Sequence, residues 1–127
     1  MKNLIIGTVN VFTESKIKTV NVLWDTGANC CCISEQLAFE LQLEEINTLY
    51  HPYEGILKVV PEYRINVDLG NNFIINNLSV MPSGISAKDI DLLIGMNVLK
   101  YGIFKYIKED NNKSFIFKIQ DEIHINE

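Results

Sequence analysis

One acidic residue stands where the sequence could do chemistry: Asp25 directly follows the apolar run Val22-Leu23-Trp24 and precedes Thr26 and Gly27. A buried strand has no reason to end on a carboxylate unless that group is used or is capped by backbone amides. Gly27 permits a tight turn, which lets Ala28 and the neighbouring amides approach the carboxylate. The pattern therefore predicts either a reactive acid or an acid that merely caps a turn.

Strand patterns lead into this motif, and a helix follows it. Segments Ile5–Phe12 and Ile17–Trp24 are rich in Val, Ile and Thr, and the polar run Thr13–Lys16 between them is typical of a hairpin turn. A short helix is predicted over Ser34–Leu43, because a serine can cap its N-terminus and apolar residues recur at helical spacing. The acid should therefore lie in a loop between a buried strand and this helix.

Further strands are predicted in the middle of the chain. Apolar and polar residues alternate over Tyr63–Leu69, which places the apolar set on one face of a sheet. Gly70-Asn71-Asn72 predicts a turn, Phe73–Met81 predicts a returning strand, and Pro82-Ser83-Gly84 opens a polar loop.

The last part of the chain predicts a short buried run, a helical turn and two further strands. Leu92-Leu93-Ile94 is a short apolar run that predicts burial, Gly95 ends it, and a helical turn is predicted over Met96–Tyr101. Two more strands are predicted at about Ile103–Lys108 and Ser114–Gln120. Many short strands with frequent turns and one or two short helices favour an all-β fold, a closed or folded-over antiparallel barrel, over a βαβ layout.

Size and composition indicate one soluble globular domain. With 127 residues, the chain can bury one core but cannot form two lobes. Hydrophobic residues make up 47% and charged residues 21%, the balance of an ordinary folded protein. We expect a single domain over residues 1–127, with its core over about residues 3–120 and a polar tail over 121–127.

The charge of the chain argues against several partners. A formal net charge of -5, without a cluster of Lys and Arg, does not suit nucleic acid or an anionic membrane surface. The N-terminal apolar run is too short for a signal peptide, and no run approaches the roughly 18 apolar residues of a membrane span. We expect a cytoplasmic protein.

Three cysteines stand side by side, at Cys30, Cys31 and Cys32. Zinc ligands are separated by two or more residues and structural disulfides join distant segments, so the run suits neither role. A redox-active or metal-binding thiol is one interpretation. The interpretation that we favour is three small, buried or half-buried side chains beside a site, in a reducing compartment.

Two motifs in order resemble the retropepsin family, the homodimeric relatives of pepsin-like aspartic proteases. The first is Asp25-Thr26-Gly27-Ala28 after apolar residues, and the second is Leu92-Leu93-Ile94-Gly95, followed by Met96-Asn97-Val98-Leu99. The second motif is similar to the segment that packs behind the catalytic loop in that family. The resemblance covers roughly residues 9–120 and implies a retropepsin-type barrel.

The resemblance implies an aspartic endopeptidase that works as a homodimer on a polypeptide, with no cofactor and no metal. Hydrolysis by carboxylates needs one that accepts a proton from water and one that donates a proton to the scissile carbonyl. Each chain offers one motif, so the catalytic pair would be Asp25 of both chains, sharing one proton. Thr26 would hydrogen-bond across the dimer axis, and the backbone of Gly27 would contact substrate.

The resemblance also implies a substrate-binding surface of Ala28, Asn29 and Gly55, with Gly55 in a flap hairpin that closes over an extended peptide. Retroviral members often carry Asp where this chain has Asn29 and Arg where it has Met96, and those two groups form an ion pair. Because both charges are missing together, no buried charge is stranded and the fold can remain stable.

Other residues suit catalysis less well. His51 and His124 stand alone in the sequence, Asp89 and Asp91 are expected to face solvent, and Trp24 is expected to pack in the core. Two alternatives to the protease stay open. One is a catalytically silent retropepsin-like module for dimerisation or peptide binding; the other is a small monomeric barrel that holds a ligand.

Overall fold

The computed structural model describes residues 4–70, 73–82, 85, 88–109 and 112–119. Within these residues the chain forms nine strands and two short helices. In chain order the elements are β1 (Ile6–Phe12), β2 (Ile17–Trp24), β3 (Cys31–Ile33), α1 (Glu35–Glu40), β4 (Asn47–Tyr53), β5 (Ile56–Gly70), β6 (Phe73–Pro82), β7 (Leu92–Ile94), α2 (Met96–Leu99), β8 (Gly102–Glu109) and β9 (Asn112–Ile119).

Six strands close into a barrel in the order β1-β2-β7-β3-β6-β5, because β5 pairs back onto β1. The predicted closed barrel with two short helices is therefore confirmed. The structure adds two parallel pairings, β2 with β7 and β3 with β6, among the antiparallel ones. The sequence did not predict them, because turn signals identify only hairpins between neighbouring strands.

Strand β7 occupies the gap between β2 and β3, although it lies far from both in sequence. It runs parallel to β2, with Val22 opposite Leu92, and antiparallel to β3, with Ile33 opposite Leu92. All three of these side chains have 0% exposure. The predicted burial of the apolar run is thus confirmed for Leu92 and Ile94, while Leu93 is half-buried.

Two hairpins lie outside the six-stranded barrel. Strands β4 and the first half of β5 pair from Asn47 opposite Glu62 to Tyr53 opposite Ile56, and β8 pairs with β9 in a separate two-stranded sheet. The first hairpin turns at Glu54 and Gly55, where φ is +49° and +80°. Two successive left-handed residues make the two-residue turn that matches the twist of paired strands.

Helix α1 begins where the sequence predicts and ends earlier. The Ser34 hydroxyl accepts a hydrogen bond from the Leu37 amide at 3.0 Å, so the predicted cap is confirmed. The helix ends at Glu40, three residues before the predicted end at Leu43, because Gln42 takes the left-handed conformation with φ +54°.

The core fills the barrel and extends under both helices. It gathers apolar side chains from β1, β2, β3, β5, β6, β7 and the helices, among them Val11, Val22, Ile33, Leu37, Ile65, Val67, Leu92 and Ile94. Trp24 packs in it at 8% exposure, with its ring centroid 5.2 Å from that of Phe117 on β9, which confirms the prediction for this residue.

Leu92→Ala should lower the free energy of unfolding by about 2–5 kcal/mol, since a fully buried side chain would leave a cavity between β2 and β3. Ile17→Ala is the control. Ile17 is 70% exposed, so its truncation should change stability by no more than about 0.5 kcal/mol. Urea unfolding measures both, and equal losses would contradict this account of the core.

Candidate active site

Asp25 lies immediately beyond the carboxyl end of β2 and is half-buried. Its backbone amide donates a hydrogen bond to the Ile94 carbonyl at 2.9 Å, which continues the parallel pairing of β2 and β7 by one residue. The backbone that carries the carboxylate is therefore held by the centre of the barrel and not by a free loop.

The carboxylate also organises its own turn. Oδ1 of Asp25 accepts a hydrogen bond from the Gly27 amide at 2.8 Å, and the Asp25 carbonyl accepts one from the Ala28 amide at 3.2 Å. A Cβ at Gly27 would lie 3.2 Å from Oδ1, so a side chain there would crowd the carboxylate. The capping role considered for this acid is thus present, and it fixes the direction of one carboxylate oxygen.

The second motif packs directly beneath this turn. The Met96 amide donates to the Ala28 carbonyl at 2.7 Å. A Cβ on Gly95 would lie 2.5 Å from the Cys30 carbonyl oxygen and 2.7 Å from that of Ala28. Gly95 is therefore required by close backbone contact, and the two motifs that the sequence singled out meet in space.

The other predicted site residues lie at two separate places. Thr26 and Asn29 are exposed and Ala28 is half-buried, all in the turn that contains Asp25. Gly55 lies at the exposed tip of the β4–β5 hairpin, where an added Cβ would meet no atom of the described chain within 4 Å. Within one chain, Gly55 is thus not packed on the turn. Met96 is half-buried and packs against the main core.

The three cysteines lie beside this turn, and none of them is in a disulfide. Cys31 is buried and its Sγ donates to Oδ1 of Asn97 at 3.2 Å, while Cys32 packs with Val60 and Met81 and Cys30 packs against that group. Burial raises the pKa of the Cys31 thiol from its ordinary 9.0 to about 11. Cys31 and Cys32 are buried and Cys30 is half-buried, as the favoured interpretation predicted. In the described part of the chain no group of His, Cys, Asp or Glu could hold a metal ion.

The two acids before β7 differ in their surroundings. Asp89 is exposed, as predicted. Asp91 is half-buried, and its Oδ1 accepts a hydrogen bond from the Ser34 hydroxyl at 2.7 Å, so the prediction that it faces solvent was wrong. This acid joins β7 to the start of α1. The side chain of His51 and all of His124 lie outside the described part of the protein.

Sequence reasoning missed one buried carboxylate, that of Glu62 on β5. It is 5% exposed, and it accepts hydrogen bonds from the Ser79 hydroxyl and from Nε of Arg64, the latter at 3.1 Å. The Ser79 hydrogen bond is the main cause that lowers the pKa of Glu62 below its ordinary value. Glu62 follows the buried Val60 by two residues and so lies on the same strand face, which could have indicated its burial, but Pro61 stands between them and obscures the pattern.

A crystal structure of a retropepsin-like aspartic protease from Rickettsia conorii matches this chain with a TM-score of 0.54. The match covers 92% of this chain and 95% of that one, at 17% sequence identity. The chain has the retropepsin-like fold. The resemblance carried by Asp25-Thr26-Gly27 and by Leu92–Gly95 thus extends to the path of the backbone. No protein-family model and no curated protein sequence matches the chain.

Among the described residues, no helix is long and apolar enough to cross a membrane.

Gly95→Ala should displace the turn around Asp25, because the new Cβ would overlap two carbonyl oxygens of the backbone. We expect large shifts of the Thr26–Ala28 amide resonances and a loss of about 1–3 kcal/mol in unfolding free energy. Val98→Ala, in the helix that follows Gly95, is the matched control: Val98 is 6% exposed, so truncation should destabilise the protein but leave those resonances in place. Unmoved turn resonances in the Gly95 variant would contradict the packing described above.

The Cys31 thiol should make the folded state less stable at alkaline pH. In the unfolded chain it ionises near 9.0, whereas in the folded chain it stays protonated up to about 11. Between these values the unfolded state binds fewer protons, so the free energy of unfolding falls as pH rises.

The stability advantage of the wild type over Cys31→Ala should therefore shrink by roughly 2–3 kcal/mol between about pH 8 and 11. Val80→Ala truncates the residue paired with Cys31 and carries no titratable group, so its deficit should stay constant. Denaturant titrations across this pH range test the difference; a constant deficit for Cys31→Ala would refute it.

Proposed function

We propose that this chain is one subunit of a homodimeric aspartic endopeptidase, in which Asp25 of each chain activates water for peptide hydrolysis. The observation that carries the proposal is the Asp25 carboxylate. It stands at the end of a buried strand, with its amide bonded to Ile94 and its Oδ1 bonded to Gly27, in a chain with the retropepsin-like fold.

The chemistry requires two such carboxylates. One accepts a proton from the attacking water while the other, protonated, donates to the scissile carbonyl. Because one chain supplies one Asp-Thr-Gly turn, a two-fold axis has to bring two turns together. At short separation the two acids cannot both ionise, so they hold one proton between them and titrate as a pair.

The remaining site residues have supporting roles in this proposal. Thr26, exposed in the turn, would bond across the axis, and the backbone of Gly27, Ala28 and Asn29 would border the substrate. The β4–β5 hairpin, with Gly55 at its tip, would close over an extended polypeptide and exclude water. The three reduced cysteines would suit a reducing location such as the cytoplasm.

Asp25→Asn should abolish cleavage and leave the fold intact. The asparagine side-chain oxygen can still accept the Gly27 hydrogen bond, but it can neither take nor give the catalytic proton. We expect activity on a mixed peptide library, read by mass spectrometry, to fall by at least about 10²–10⁴-fold. Wild-type activity should follow a bell-shaped pH profile with a mildly acidic optimum.

Mixing the two proteins tests the shared site. If each active site needs two wild-type acids, adding about nine parts of Asp25→Asn to one part of wild type leaves about one-tenth of the activity per wild-type chain after subunit exchange. Unchanged activity in the mixture would show that one chain is enough. A wild-type protein that binds peptides without cleaving them would favour a silent binding module. A strict monomer that neither binds nor cleaves peptides would refute both the protease and the binding module.

A further inference from the structure

One ionisable side chain that the proposed chemistry does not use is buried at the base of the β4–β5 hairpin. Glu62 is 5% exposed and is the charged residue that the described core contains. A buried carboxylate is costly unless it is hydrogen-bonded and paired, so its neighbours must compensate for the lost water.

Those neighbours come from three strands. The Ser79 hydroxyl on β6 donates to Oε2 of Glu62, and Nε of Arg64 on β5 donates to the same oxygen at 3.1 Å. Asn47 on β4 lies opposite Glu62 in the strand pairing, and the Ile46 amide donates to the Glu62 backbone carbonyl at 3.0 Å. Both strands of the hairpin are thereby joined to the barrel wall at one point.

Beyond this point the hairpin has little support. Val60, two residues nearer the tip and on the same strand face, packs on Cys32 and Met81 at 8% exposure. Nearer the tip, four large side chains are exposed to solvent: Tyr50 at 66%, Ile56 at 66%, Leu57 at 63% and Val59 at 60%. The direction of the β4–β5 hairpin is therefore determined by the contacts of Glu62 and Val60 at its base.

The same face connects this base to the Asp25 turn. Ser79 and Met81 are two residues apart on β6, so their side chains lie on the same face of the sheet. Ser79 bonds to Glu62 there, and Met81 packs against Val60. Met81 lies opposite Cys32, and Cys32 lies opposite Leu93 on β7. The next residue of β7, Ile94, accepts the Asp25 amide.

We propose that Glu62 is a positioning residue, whose carboxylate holds the β4–β5 hairpin at a fixed angle to the Asp25 turn so that the Gly55 tip is preorganised for an extended peptide. The structural part stands on the contacts above, and the effect on catalysis rests on the proposed function. Glu62 touches no reacting atom; it acts through the hairpin.

Glu62→Gln keeps the size of the side chain and removes its charge, which weakens two charge-assisted hydrogen bonds. Hydrogen–deuterium exchange should accelerate by about ten- to a hundredfold over residues 46–62, and remain unchanged in β1 and β2. The KM for a cleaved peptide should rise by a similar factor with kcat changed by less than about twofold, because a loosened hairpin weakens ground-state and transition-state binding alike.

Two further variants make the test specific. Glu45→Gln removes the same charge at an exposed position next to the hairpin and should alter neither measurement. Ser79→Ala leaves the carboxylate in place and removes its β6 partner, so it should accelerate exchange in the same residues, and the double variant should add little to either single change. If the Gln variant does not fold, Ser79→Ala alone decides the question.

Unchanged exchange over residues 46–62 in the folded variants would overturn the proposal, and so would faster exchange spread equally over the barrel, since Glu62 would then only stabilise the fold. An inactive wild type whose hairpin still loosens selectively on Glu62→Gln would overturn the proposed function and support the positioning role. An active wild type with no hairpin effect would do the reverse.

Discussion

The contact between Gly95 and the turn at residues 28–30 is the constraint on which the site depends. Strand β7 reaches the turn by pairing with β2 on one side and β3 on the other, and its next residue lies against two carbonyl oxygens. No side chain fits there. The backbone of Ile94 bonds to Asp25 and that of Met96 bonds to Ala28, at the two ends of the turn. The position of the carboxylate is therefore set by backbone hydrogen bonds and does not depend on flexible side chains.

In the proposed function, one chain closes its own barrel but supplies half of the catalytic site. The barrel closes on itself through the pairing of β1 with β5, and the described core is formed by side chains of a single chain. The turn presents one acid, whose Oδ1 is already engaged by its own backbone. Proton transfer of the proposed kind needs a second acid at hydrogen-bonding distance, and in the proposed dimer the same turn of the partner chain would supply it.

The sequence predicted those parts of the structure whose signal is local. The β1–β2 hairpin, the cap at Ser34 and the buried run of β7 all follow from short-range patterns. Strand β3 was missed because three consecutive cysteine and isoleucine residues show no alternation, and β4 was missed because polar residues and Pro52 obscure its pattern. The parallel pairings and the burial of Glu62 arise from contacts between distant segments, which no single-sequence period encodes.

The two proposals give two carboxylates of this molecule different tasks. Glu62 accepts hydrogen bonds from Ser79 and Arg64, which favour the charged form and lower its pKa, so it keeps its charge as the solution becomes mildly acidic. A catalytic pair of the proposed kind works by keeping one proton, which the same acidic conditions favour. Acid that suits the chemistry therefore leaves the hairpin base ionised, and the positioning network can operate over the pH range in which the pair would be active.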